Sequence, residues 1–134
     1  MPPRSLPWRS PVTILALLAV AAFLFLGLRG LIAPEVAVRS LGVVLANPHD
    51  AALMQTTGAR NIGMALLALT FVVADARRPF GLLLAAAALI ACIDFAVIRA
   101  ASGLTEAAKH LAYVVFLGGF AVIVLRGHHR PVSD

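Results

Sequence analysis

Residues 54–69, MQTTGARNIGMALLAL, decide the fold. The stretch reads as the middle of a membrane helix, yet Arg60 and Asn61 stand in its first half. Working outward, 61% of the 134 residues are hydrophobic and the mean hydropathy is +0.96, values far from those of ordinary soluble domains. About 20 apolar residues cross a bilayer core of about 30 Å. Four such runs can be marked: Val12 to Ile32, Asp50 to Ala74, Phe80 to Ala101 and Thr105 to Leu125. The predicted fold class is therefore all-α, a membrane-spanning four-helix bundle. Residues 1–11 form an N-terminal segment, 12–125 a single transmembrane domain and 126–134 a basic tail.

The chain carries 11 Lys plus Arg against 6 Asp plus Glu, a balance that in a soluble protein would suggest nucleic acid. The membrane explains it better, and no nucleic-acid partner is expected. Arg4, Arg9, Arg77, Arg78, Arg126 and Arg130 fall in the N-terminal segment, the link between the second and third spans, and the tail. In a four-pass chain these lie on one side, which the positive-inside bias makes cytoplasmic. The expected location is the plasma membrane with both termini inside. The opening 28 residues have the basic lead of a signal peptide, but their long apolar run lacks a small-x-small cleavage site. They read as a retained first helix with Trp8 at headgroup level. Cys92, the single cysteine, excludes an intramolecular disulfide.

Prolines and glycines divide the chain. Pro34 closes the first helix, and Glu35 to Leu41 is too short and too charged to span. It is expected as a short helix on the outer side, ended by Gly42, and is suited to act as a lid. Asn47, Pro48 and Asp50 predict the start of the second span. Pro79 is expected to break the chain before the third, Ser102 and Gly103 to end it, and Thr105 to cap the fourth. GARNIGMALLAL in the second span and AAKHLAYVVFLG in the fourth both put a basic and a polar residue ahead of an apolar run, as parallel repeats would.

Charges at membrane depth cost about 2.5 to 3.5 kcal/mol each on insertion scales and seek partners in the protein interior. At 1.5 Å per residue, Arg60 lies about 18 Å beyond Pro48, Asp94 roughly 10 Å from the outer end of its span, and His110 about 8 Å inside its own. All three occupy the outer half. Thr56, Thr57, Arg60 and Gly63 lie close together on one helix with Asn61 on the flank, while Glu106, His110 and Tyr113 form a stripe on another. Four alanines, Ala85 to Ala88, suit close approach of a neighbouring backbone. One reading is an Arg60–Asp94 ion pair that fixes helix register. The other is a polar pocket in which Arg60 binds an oxygen or anion and Asp94 or His110 moves a proton. The clustering of His110, Glu106, Tyr113 and Asn61 at one level favours the second, since an ion pair alone needs none of them.

Elsewhere, Glu35 and Arg39 have helical salt-bridge spacing and read as a solvated surface pair. The tail's RGHHR makes a poor metal site and a simple contact for anionic headgroups. There is no phosphate loop, dinucleotide fingerprint, HExxH, CxxC or nucleophile elbow, which disfavours nucleotide-driven transport and zinc proteolysis.

The order of features is a PE-containing outer segment with a glycine, then G-x-R-N-x-G, then a lone late Asp, then an early His. It resembles the small four-helix membrane proteins grouped as DUF4267, similar to the DoxX-like and DUF4345 proteins. The resemblance runs from about Ala33 to Leu125 through Glu35, Gly42, Gly58, Arg60, Asn61, Gly63, Asp94 and His110. Such proteins often carry an acidic residue after the arginine. Asn61 here leaves Asp94 as its partner.

The resulting expectation is a membrane protein that binds a lipophilic small molecule and performs non-redox acid/base conversion of the isomerisation, cyclisation or epoxide-opening type. Asp94, His110 and Glu106 are the candidate catalytic residues; Arg60, Asn61, Thr57, Tyr113 and Glu35 are the candidate binding residues. No metal and no cofactor are expected. Membrane lipids are the expected surroundings, and self-association is left open. The alternatives are an accessory subunit held by the Arg60–Asp94 pair and a small proton-coupled transporter. The transporter is less favoured, because the first span has no carboxylate before Glu35 and the cluster lies to one side.

Overall fold

The computed structural model describes residues 10–42, 44, 47 and 49–126. Expectations at Arg4, Trp8, Arg9, Pro48, Arg130 and the tail histidines fall outside the described residues. The described chain is all helical: α1 (Pro11–Ile32), α2 (Pro34–Arg39), α3 (Asp50–Val73), α4 (Arg77–Ser102) and α5 (Leu104–Arg126). Helices α1, α3, α4 and α5 are each long and apolar enough to cross a membrane, and at most 28% of each apolar window is buried inside the protein. So much outward apolar surface suits lipid rather than water as the surrounding solvent. The chain divides into two compact units, residues 1–40 with 44–76, and residues 41–43 with 77–134.

In the first unit, α1 begins at a Ser10 cap that accepts the Thr13 amide at 3.2 Å, with Pro11 in the first turn. It ends at Ile32, where Pro34 cannot continue the hydrogen-bond ladder. Pro34 then opens α2, so a single residue, Ala33, links the two. Arg29 holds the fold-back by donating to the Val36 carbonyl at 3.2 Å. At the start of α3 the Asn47 amide donates to the Asp50 carboxylate at 3.0 Å. The expected Asn47 cap is not made: His49 stands at the cap position without a side-chain hydrogen bond, and the helix opens on Asp50, whose carboxylate instead accepts the preceding Asn47 amide.

The residues α3 buries are all small: Gly58, Ala65 and Ala68. Gly58 meets Gly27 and Gly30 of α1. A Cβ built on Gly58 would stand 2.7 Å from the Gly27 carbonyl oxygen and 2.7 Å from the Leu31 nitrogen. The two backbones therefore touch with nothing but hydrogen between them, as small residues allow in membrane helices. Beyond Val73 the chain turns through Asp75 at φ 51°. There the Ala76 amide reaches the Phe71 carbonyl at 2.8 Å and the Asp75 amide the Val72 carbonyl at 3.2 Å, a Schellman closure.

In the second unit, α4 and α5 form an antiparallel hairpin joined by Gly103 alone, at φ 89°. A Cβ on Gly81 would fall on Leu125, Phe80 meets Phe120 edge-on at 5.9 Å, and one on Gly118 would lie 3.8 Å from Ala88. Leu84 is completely buried. Of the four alanines expected to admit a close neighbour, Ala87 and Ala88 are buried while Ala85 and Ala86 face outward, because a helix can present only half of such a run to one side.

Two further sequence expectations are corrected. Pro79 does not precede α4 but lies in its first turn, where a missing amide hydrogen is harmless because the first amides have no helical acceptor. Thr105 does not cap α5: the helix begins at Leu104, with the Gly103 carbonyl accepting from Ala107 at 3.3 Å. Glycine serves as both the end of α4 and the start of α5 because it alone adopts the left-handed conformation without strain.

Candidate functional site

The predicted stripe on α5 exists. His110 is buried, and its ring stands edge-on to Tyr113 at 6.1 Å and 73°. Tyr113 itself is exposed. Burial follows from position: Ala107, His110, Leu117, Phe120, Ala121 and Val124 make up the inward face of α5, and His110 is the single titratable side chain on it. No fully buried side-chain nitrogen or oxygen among the described residues lacks a partner, and no hydrogen bond ties the His110 ring to another described residue. Its ring nitrogens therefore retain some accessible surface while the body of the ring is packed away. An imidazole held this way can accept or donate one hydrogen bond to a small polar group.

Asp94 lies three residues past buried Ala91 and four before buried Ile98, so it sits at the edge of the buried stripe of α4. Its side chain is exposed. The pairs Gly81–Leu125 and Ala88–Gly118 set an antiparallel register. Continued along the hairpin, that register puts Asp94 level with Ala112, between His110 and Tyr113. A carboxylate, an imidazole and a phenol thus share one depth in the second unit.

Glu106 is engaged differently from expectation. Its carboxylate is ion-paired to Lys109 at 2.5 Å rather than turned to His110. The stem of the side chain is also in close contact with Gly42, where an added Cβ would lie 2.5 Å from its Cγ. Lys109, three residues on, was a readable partner for Glu106 at helical spacing that the sequence reading passed over.

In the first unit, Gly58 faces α1, and Arg60, about 200° further round the helix at 100° per residue, faces away from it and is exposed. Asn61 is half-buried. The Thr57 hydroxyl donates to the Leu53 carbonyl at 3.0 Å and that of Thr56 to the same carbonyl at 2.8 Å, so both donors are spent within their own helix and the oxygens remain as acceptors. Glu35 and Arg39 are exposed on α2, and the ion pair expected from their spacing is not formed.

The segments from Gly58 and from Ala107 share part of their burial pattern. Gly58 and Ala107 are buried, Arg60 and Lys109 exposed, while Asn61 is half-buried where His110 is buried. The polar residue after the cation therefore faces inward most fully in the second unit.

Residues 20–124 match the family model described as Domain of unknown function (DUF4267). That is most of the chain, and it begins earlier than the motif residues alone suggest, taking in the second half of α1. No curated protein matches. No solved structure matches either.

Proposed function

This chain belongs to the DUF4267 family, a domain of unknown function, and from that premise we propose that it is a multi-pass membrane protein binding a lipophilic small molecule through His110. Asp94 and Tyr113 complete a polar site at one depth of the α4–α5 hairpin. The observation that carries the reading is His110 itself: a residue 8% exposed, on the inward face of a membrane helix, with no hydrogen-bond partner among the described residues. A polar ring at membrane depth is costly to maintain unless something polar uses it. A hydroxyl, carbonyl or epoxide oxygen on an apolar body fits this chemistry. His110 and Asp94 would exchange a proton with it without redox change or cofactor.

The test is retention of ligand on purification. Wild-type protein is expected to carry a lipophilic molecule distinct from bulk phospholipid in its organic extract. His110→Gln and Asp94→Asn are each expected to lower its amount about tenfold, the scale of one lost buried hydrogen bond. If both variants melt like wild type and carry the same extract, the reading is wrong.

A further inference from the structure

We propose that the turn at Gly42 is a latch that closes the approach to His110 from the Gly103 end of the hairpin. The inference rests on His110 being the ligand-binding group. Gly42 adopts φ +72°, a conformation that side chains resist. Its carbonyl accepts from the Ser102 hydroxyl, at the last residue of α4, at 3.2 Å. Its Cα is seated on the Glu106 stem so closely that an added Cβ would lie 2.5 Å from Cγ and 3.2 Å from both Cβ and Cδ.

Glu106 stands one turn before His110 on the same stripe of α5. Gly42, seated on the Glu106 stem, fills the place one turn from His110 on the side toward the start of α5. Lys109 holds the other end of the gate by fixing the Glu106 carboxylate, which keeps the stem in position under the glycine. The latch is weakly fastened: one neutral hydrogen bond and a contact with methylene groups, an interaction small enough for local opening. Its position explains the glycine better than the end of α2 does. Ser40, which follows α2, is already right-handed at φ −69°, so the left-handed turn at Gly42 is needed for the approach to Glu106 and Ser102.

Accessibility of position 110 tests this directly. Cys92 is the single cysteine, so Cys92→Ser with His110→Cys gives one reporter thiol. The reporter is labelled by a water-soluble maleimide in nanodiscs with both faces open to reagent. Gly42→Ala, which adds both backbone strain and a collision with Glu106, is expected to raise the labelling rate about tenfold. Ser102→Ala removes only the hydrogen bond and should raise it about threefold. Gly103→Ala is the control, because Gly103 also has positive φ but an added Cβ meets nothing within 4 Å; its labelling rate should match the parent. Should Gly42→Ala fail to fold, Ser102→Ala decides alone. Unchanged labelling in the folded latch variants overturns the latch, and so does an equal rise in Gly103→Ala. Faster labelling combined with unchanged ligand in His110→Gln keeps the latch and discards the ligand reading, so the two fail separately.

Discussion

Gly58→Ala is expected to lower the unfolding free energy by about 2–3 kcal/mol, the upper range for forcing extra atoms into a packed interior. The reason lies in what the new methyl group would meet. Its neighbours are the Gly27 carbonyl oxygen and the Leu31 nitrogen at 2.7 Å and the Gly30 carbonyl carbon at 2.9 Å, all backbone. A side chain in the way can rotate; a helix backbone moves only as a whole. α1 and α3 must therefore separate, and the neighbouring contacts among Gly27, Gly30 and Ile62 open with them. Gly63→Ala is the matched control, because an added Cβ there meets nothing within 4 Å. It should be neutral or stabilise by up to about 1 kcal/mol through helix propensity. Thermal unfolding of both variants in one detergent measures the contrast. Equal melting of Gly58→Ala and wild type would contradict the close approach of α1 and α3.

Leu84→Ala carries the second large effect. Leu84 is fully buried between α4 and its surroundings, whereas Leu82 on the same helix is 55% exposed. In a bilayer, moving a leucine from lipid into protein gains little hydrophobic free energy, since lipid tails are as apolar as the core. What remains is the lost van der Waals contact and the cavity left behind. About 2–3 kcal/mol is expected at Leu84 and within about 0.5 kcal/mol at Leu82. Comparable losses at both positions would mean that Leu84 does not lie in a packed interior.

The spans were legible because their signal is strong: long apolar runs punctuated by Pro34, Asp50 and Gly103 leave few alternatives. The stripe of Glu106, His110 and Tyr113 was also legible, since three-and-four spacing is a geometric property of a helix. Two things were not. Glu106 turns to Lys109, and choosing between two partners within reach of one carboxylate depends on rotamers that periodicity does not encode. The contact of Gly27 and Gly30 with Gly58 was missed for a different cause. Small residues announce that a backbone can come near, but not which backbone, and the alanine run at 85–88 carries the same signal as Gly27, Gly30 and Gly58. On α3, helical spacing puts Thr56, Thr57, Arg60 and Gly63 on neighbouring positions, but which groups they meet is not encoded in that spacing.

The single-residue link at Gly103 bears on how the chain enters its membrane. Two apolar helices joined by one residue are almost cost-free to bring together, because closing so short a loop sacrifices little chain entropy. Their contacts are also close in sequence, a pattern associated with rapid folding. α4 and α5 are therefore suited to insert as a preformed pair during synthesis. Lengthening the Gly103 link would then slow maturation of the protein while leaving its finished stability nearly unchanged.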